Sequence, residues 1–467
     1  MAEGDTFDAT NRLCDFIVGF QLDSGSEVLR RRAKDLLADT FGVTIAAAGD
    51  EVAHVVGQLH AGDSPCGPMS LIGHGSTQSA GAAAFHNGAL AHALEFDDST
   101  LNPVGHPSCV IVPALFALAE KTQASGRAFL EAYIVGLEIH SRLGQAELGG
   151  WSAGGFWLPI GHVSLLGAAA ACAKLLQSNR FETEQALGLA AHFSGGLAVS
   201  NGSLAKPIGS GASARAALEA AMLAKAGATA PAQVVERPQG FADVFLGPGH
   251  DLAKALAKLG APHHLEEIGI AIKRYPSCYA THWGVDALLL LIAEHDLRAD
   301  DIEAIVLEHP ASGAFCDNPD PTNTEEARFS HEYNLSVAVL DGVPGPASYT
   351  AERLAKPDVR DFLKRVRTRN HADELAPPKA WEYLVTVTTG SGKVVSRAVP
   401  RPLGHPRHPM STADLQAKVF TCVEPVLGAD QTGLLLKFVD EIETLSTLSH
   451  ITSVLSNIRT PHVGRGT

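Results

Sequence analysis

Apolar residues recur at three- and four-residue spacing over residues 26–47 (SEVLRRRAKDLLADTFGVTIAA) and 128–145 (AFLEAYIVGLEIHSRLGQ), each opposite a polar face. That period predicts amphipathic helices lying against a core. Residues 107–121 (PSCVIVPALFALAEK) and 163–177 (VSLLGAAAACAKLLQ) are apolar almost all round, which predicts central helices buried on every side. Ala-rich helical text of this kind runs from about residue 8 to 265, broken at Gly, Pro and Asn-Gly, and its small side chains let helices approach closely. The pattern changes near residue 266. Ile302 to Leu307 and Tyr383 to Thr388 alternate β-branched and polar residues, and the second run leads through Thr389-Gly390-Ser391-Gly392 into Lys393 to Val399, predicting a β-hairpin. Helical text at 281–295 and 330–341 interrupts the strands, so this middle section reads as α+β rather than as a parallel sheet. Pro400, Pro402, Gly404, Pro406 and Pro409 then mark a crossing before helical text resumes at Ser411. The expected fold is mainly α: a large all-helical domain built from both chain ends, 1–266 and 405–467, and a smaller α+β domain, 267–404, inserted in the middle.

Length agrees with that division, since 467 residues exceed the size at which one core usually stops growing. Hydrophobic residues make up 45%, charged residues 19% and aromatic residues 6%, the profile of a globular protein packed with Ala, Leu, Val and Ile. Net charge is 36 minus 51, or −15, and no Lys/Arg-rich run stands out, so the footprint of a nucleic-acid binder is missing. An anionic substrate therefore needs a locally basic pocket. Seven scattered cysteines (14, 66, 109, 172, 278, 316 and 422) form no C-x-x-C pair and suit a reducing cytoplasm. The start, MAEGDTFDATNRLCDF, is acidic where a signal peptide is basic, and no apolar run reaches the roughly 18 residues of a membrane span. The expectation is an unexported cytoplasmic protein.

Four segments concentrate chemistry. His92, Glu95, Asp97, Asp98, Ser99 and His106 crowd a helix end and the loop after it. They suit a metal site or a catalytic loop; equally, Asp97 or Asp98 caps the next helix and His106 is an ordinary hydrogen-bonded residue. Lys206-Pro-Ile-Gly-Ser-Gly-Ala-Ser-Ala-Arg215 matches G-x-G-x-x-A at Gly209, Gly211 and Ala214, but neither a preceding strand nor βαβ alternation surrounds it. What remains is a Gly/Ser loop entering a helix over 212–226, whose free amides beside Lys206 suit a carboxylate. Lys273, Arg274, Cys278 and His282 share one loop-to-helix junction, where paired cations suit a substrate with several carboxylates. Tyr333 opens an apolar helix, and its phenol serves as a proton donor if neighbouring cations lower its pKa; otherwise it is a packing residue.

In this order, NGALAHALEFDDST, GHPSCVIVPALFALAE, AKPIGSGASARAALEA, IKRYPSCYATHWGVDALL and ARFSHEYNLSVAVLDG resemble the MmgE/PrpD family, and PLGHPRHPMSTADLQAKVF resembles its Pro-rich return. The resemblance covers residues 10 to 455. It implies a helical domain with an α+β lid, a homodimer, an interdomain active site, and proton transfer at the carbon beside a carboxylate without cofactor or metal. The pocket positions it implies fall on the loop from Glu95 to Ser99 and on His106, Lys206, Lys273 and Tyr333; together with the residue patterns above, the expected catalytic residues are His106, Lys206, Lys273 and Tyr333, with Glu95, Asp98, Ser99, Arg274, Cys278 and His162 around the substrate. Three departures stand out. The family pattern carries histidines where this chain has Leu158, Gly209 and Cys278, and His162 lies four residues beyond the first of these.

The chemistry shared by the family needs cations to neutralise charge as a carbon acid loses its proton, a task for Lys206, Lys273 and Arg274. Dehydration also needs an acid for the leaving hydroxyl, and decarboxylation needs a proton delivered after carbon dioxide leaves. Epimerisation needs only two opposed proton-transfer groups. With three imidazoles missing, the sequence favours an epimerase of an iminodisuccinate-like dicarboxylate. The alternatives are a 2-methylcitrate-type dehydratase, a cis-aconitate-type decarboxylase, and a non-catalytic dimeric polycarboxylate-binding protein.

Overall fold

A computed structural model describes residues 7–60, 67–101, 104–146, 156–370 and 383–456; the first six residues of the acidic amino-terminal stretch, Cys66 and Gly155 lie outside this set. The described chain is mainly helical, with a small mixed sheet towards its C-terminal end. It divides into two units: Met1–Ala93, Asp97–Ala271 and Thr412–Thr467 form one, and Leu94–Phe96 with Ile272–Ser411 form the other.

The helices predicted to be central in the first unit are buried as their composition requires. In Ser108–Thr122 every residue from Ser108 to Ala119 is buried, and in Val163–Leu175 only Lys174 reaches partway to solvent. Gly126–Gln145, Ala80–Ala93 and Ala205–Lys225 pack around them, and Thr412–Leu427 packs on Glu27–Ala46. Helix starts follow capping chemistry: the Ser26 hydroxyl accepts from the Leu29 amide at 3.0 Å, and Ser125 accepts from Ala128 at 3.2 Å.

The helix expected over 212–226 begins at Ala205, so Lys206 and Pro207 occupy its first turn and both Gly209 and Gly211 lie inside it. Proline is tolerated there because first-turn amides have no intrahelical partner. Gly211 is used for contact. A Cβ at this position would sit 2.2 Å from the Phe85 carbonyl oxygen, and one on Gly88 would sit 2.9 Å from the Gly211 Cα. The helices Ala80–Ala93 and Ala205–Lys225 therefore meet backbone to backbone.

The expectation of an all-helical domain needs correcting, because two short antiparallel ladders interrupt this unit. Met69–Leu71 pairs with Ser76–Gln78, and Thr100–Leu101 pairs with Val104–Gly105. The first reversal is possible because Gly73 and Gly75 adopt φ of 77° and 65°.

In the second unit the strands lie in the order Val366–Asn370, Ile302–His309, Tyr383–Thr389 and Val394–Val399. The predicted hairpin is present, with Thr386 opposite Ser396 and Val387 opposite Val395. Helix His282–His295 covers the sheet through Val285, Leu288 and Leu291, which cluster with Ile305, Leu307, Val385 and Val387. One edge departs from the antiparallel expectation: Val366–Asn370 runs parallel to Ile302–His309. A parallel neighbour needs a crossover, and the helices His331–Leu340 and Pro357–Leu363 lie in the connection. Only Val366 of that strand is buried, so its sequence shows little alternation. No helix among the described residues is long and apolar enough to cross a membrane.

Adding a methyl group separates the two glycines of helix Ala205–Lys225. Gly209→Ala meets nothing within 4 Å and gains about 1 kcal/mol of helix propensity, whereas Gly211→Ala drives into Phe85 and loses about 1–3 kcal/mol through overpacking. Urea midpoints of the two variants, moving in opposite directions from that of the parent chain, are the expected result.

Candidate active site

The acidic segment that follows helix Ala80–Ala93 turns inward. Glu95 adopts a left-handed φ of 49° that ends the helix, and every residue from Glu95 to Thr100 is buried. Acids and hydroxyls removed from water require partners. In the first unit, both oxygens of the Asp97 carboxylate lie at 2.9–3.0 Å from Nδ1 of His92, and one lies 3.5 Å from Nδ1 of His106. His106 Nδ1 donates to the Asp98 carbonyl at 2.9 Å; because a carbonyl only accepts, this bond sets the tautomer and puts the lone pair of the neutral ring on Nε2. His92, Asp97 and His106 offer three ligand atoms within 4.8 Å of one another, so the loop also has the geometry of a metal centre.

Asp98 faces the other way. Its carboxyl accepts from the Ser108 amide at 3.2 Å and from the Ser108 hydroxyl, which lies 2.6 Å from the Tyr133 hydroxyl. Complete burial, reinforced by the neighbouring Asp97 and opposed by the Ser108 hydrogen bonds, pushes Asp98 up to about 8. Asp98 thus caps the opening turn of helix Ser108–Thr122 from ten residues away while its backbone orients His106. Ser99 is held by reciprocal backbone bonds with Ala271, at 2.9 and 2.8 Å.

His162 is buried, with Nδ1 bonded to the Leu158 carbonyl at 2.8 Å, its ring stacked on Phe245, and burial pushing it down to about 4. Lys206 is 6% exposed. One turn further on, the Ser210 hydroxyl donates to the Cys109 carbonyl at 3.1 Å, tying the opening turn of helix Ser108–Thr122 to that of Ala205–Lys225. His140, which belongs to none of the four sequence segments, is wholly buried, pushed down to about 3 by burial, and bonded to Ser164 at 3.1 Å and Thr100 at 3.3 Å. Its signal was a histidine followed by a serine inside an otherwise apolar helix face.

The second unit holds the remaining candidates. Lys273 is wholly buried, and its ammonium donates to the Glu95 carboxylate at 2.8 Å and to the Glu95 carbonyl at 2.9 Å. Arg274 is half-buried, 3.3 Å from Asp286, a carboxylate that also accepts from the Tyr275 hydroxyl and from the Leu403 amide of the Pro-rich crossing. Cys278 packs against Cys316 and Phe329, and its amide donates to the Arg328 carbonyl at 2.9 Å.

Tyr333 is a proton donor on the condition that neighbouring cations lower its pKa; burial outweighs Arg353 and Arg328 and raises it above the ordinary tyrosine value, which meets the packing alternative better. Its hydroxyl donates to the Ser348 carbonyl at 2.5 Å, and its ring lies in a cluster with Val337, Tyr349 and Leu354.

Two stability measurements follow from these buried groups. Lys273→Met strands the Glu95 carboxylate and is expected to cost about 3–5 kcal/mol, part of which Lys273→Met/Glu95→Gln regains; equal unfolding midpoints for the two would contradict the pairing. The unfolded chain releases the Asp98 proton near 3.8 and the folded chain near 8, so the folded state binds the extra proton between those values. Stability from this group is accordingly greatest at low pH and falls as pH rises towards 8, and Asp98→Asn should flatten that part of the stability–pH profile.

Comparison with known proteins gives a consistent picture along the whole chain. Residues 11–252 match the MmgE/PrpD N-terminal domain, and residues 275–443 match the MmgE/PrpD C-terminal domain. The chain is 29% identical to a cis-aconitate decarboxylase of Mus musculus, over 96% of this chain and 93% of that protein. It is 28% identical to the cis-aconitate decarboxylase of Homo sapiens, over 97% and 96%, and 26% identical to that of Aspergillus terreus, over 97% and 96%. With both domain models matched in order, the chain belongs to the MmgE/PrpD family.

Proposed function

We propose that this enzyme is a lyase that decarboxylates an unsaturated tricarboxylate resembling cis-aconitate. The observation that carries the reading is similarity along nearly the full length to proteins named cis-aconitate decarboxylase, and it moves the balance away from the epimerase favoured by the sequence alone. Two buried lysines, Lys206 and Lys273, support it by supplying cations to an otherwise acidic chain.

In the proposed reaction the bond from the methylene carbon to its carboxylate breaks and carbon dioxide departs. The released electron pair forms a new C=C bond to the central carbon, and the pair of the old double bond takes a proton at its far carbon, which bears one of the two remaining carboxylates. Lys206 and Lys273 hold carboxylates and offset the charge that develops on that carbon. His106, its ring orientation set by the Asp98 carbonyl and Asp97, delivers the proton in its charged form. Tyr333 becomes a packing residue in this reading, and Asp98 a support beneath His106 in place of a substrate contact. Glu95 positions Lys273, while Ser99, Arg274, Cys278 and His162 keep their proposed places around the substrate. The assembly is a homodimer.

The epimerase remains a second reading because Leu158, Gly209 and Cys278 stand where the family pattern carries histidines, and epimerisation makes the smallest demand on acid catalysts.

Incubation with cis-aconitate in D₂O, followed by NMR, tests the assignment. Carbon dioxide and an unsaturated dicarboxylate with one deuterium beside a carboxylate are expected. Deuterium exchange in a dicarboxylate such as iminodisuccinate with no carbon lost would favour the epimerase, and binding without turnover would favour a binding protein. His106→Asn should lower kcat by about 10²–10⁴. Tyr333→Phe should act mainly on stability, at about 1 kcal/mol, through loss of its bond to Ser348.

A further inference from the structure

A second cluster of potential metal ligands lies within the second unit, formed by residues to which the proposed reaction gives no role. His309 ends the strand Ile302–His309, Asp317 follows the turn Ala311–Cys316, and His331 opens the helix His331–Leu340. One ligand atom from each lies within 4.8 Å of the others. His309 Nδ1 donates to the Pro310 carbonyl at 2.9 Å, and His331 Nε2 donates to the Gly313 carbonyl at 3.1 Å. Both carbonyls belong to the connection that leads to Asp317. Backbone carbonyls bound to the outer nitrogens are the arrangement by which metal-binding imidazoles are oriented.

The inner nitrogens make the cluster unusual. His309 Nε2 lies 2.9 Å from Asp317 Oδ1 without a well-aligned hydrogen bond, and Nδ1 of His331, a residue 1% exposed, has no hydrogen-bond partner. Because a carbonyl only accepts, the Gly313 bond puts the proton of the neutral His331 ring on Nε2 and leaves Nδ1 a buried lone pair, and the Pro310 bond likewise leaves the lone pair of the neutral His309 ring on Nε2, beside Asp317. A single cation serves all three atoms.

We propose that His309, Asp317 and His331 bind a divalent transition-metal ion of the zinc type, with water completing a four-coordinate shell. Two imidazoles and one carboxylate are a ligand set suited to zinc. Bonds of about 2.0–2.2 Å in a tetrahedral shell place ligand atoms roughly 3.3–3.6 Å apart, a spacing bracketed by the 2.9 Å contact and the 4.8 Å limit. Asp317 is 31% exposed, which gives the ion a route in and lets one carboxylate rotate to close the shell. Occupancy ties the turn Ala311–Cys316 to helix His331–Leu340. Cys316, immediately before Asp317, packs on Cys278, so the ion stiffens the surface that supports a residue assigned to the substrate.

The test uses the full chain stripped with a chelator and titrated with cobalt(II), read by visible absorption, and with zinc, read by calorimetry. The expected result is about one ion per chain with the visible bands of a tetrahedral nitrogen–oxygen site, weakened about 100-fold or more in both Asp317→Asn and His331→Gln. Asp317→Asn alters a partly exposed carboxylate and should leave the far-ultraviolet circular dichroism unchanged, so it decides the matter even if His331→Gln fails to fold. Absence of binding, equal binding by Asp317→Asn, or a thiolate-to-cobalt charge-transfer band indicating Cys278 and Cys316 as ligands would overturn the proposal.

Discussion

Burial of the five residues from Glu95 to Ser99 is the constraint on which the candidate site depends. Three carboxylates in five positions would ordinarily face water, yet each residue of the segment is at most 2% exposed. Each acid must find its partner from a different direction: Glu95 takes Lys273, Asp97 takes His92 and stands beside His106, and Asp98 takes Ser108. Ser99 is fastened through its backbone to Ala271. The left-handed conformation of Glu95 lets consecutive side chains diverge in this way, at a cost that the surrounding bonds offset.

The same burial bears on the proposed chemistry in a chain with net charge −15. Long-range attraction does not favour the anionic substrate of that proposal, so its recognition must be local. A buried ammonium acts through a weakly screening medium, and a lysine already aligned by a carboxylate need not reorganise when charge appears on a carbon acid. His106 is prepared in a related manner. Its ring is oriented by a backbone carbonyl, and that carbonyl belongs to Asp98, whose carboxyl caps the helix beginning two residues after His106.

The scaffold achieves its closeness with small residues. Helices built from alanine and glycine cross at backbone distance, as at Gly88 and Gly211, and bring Ser210 within reach of Cys109. The sheet of the second unit presents the end of Ile302–His309 and the turn beyond it against helix His331–Leu340, which is how three residues scattered over 23 positions of sequence form one cluster.

Helices, the hairpin and the family were legible in the sequence because each is written in local periodicity or in ordered motifs: the all-round apolar runs at 107–121 and 163–177 are buried helices, and Tyr383–Thr389 pairs with Val394–Val399. His106, Lys206 and Lys273 were legible as candidates for the same reason. The structure alone decided where helix Ala205–Lys225 begins, since Gly211 inside it is explained by contact with Phe85 and not by local propensity. It alone paired Val366–Asn370 in parallel with Ile302–His309, joined His140 to Ser164 and Thr100, and turned the Tyr333 hydroxyl towards Ser348. It alone assembled His309, Asp317 and His331. Period and spacing report which face of an element avoids water; which polar partner a buried group meets depends on residues tens or hundreds of positions away, and that pairing is a property of the packed chain.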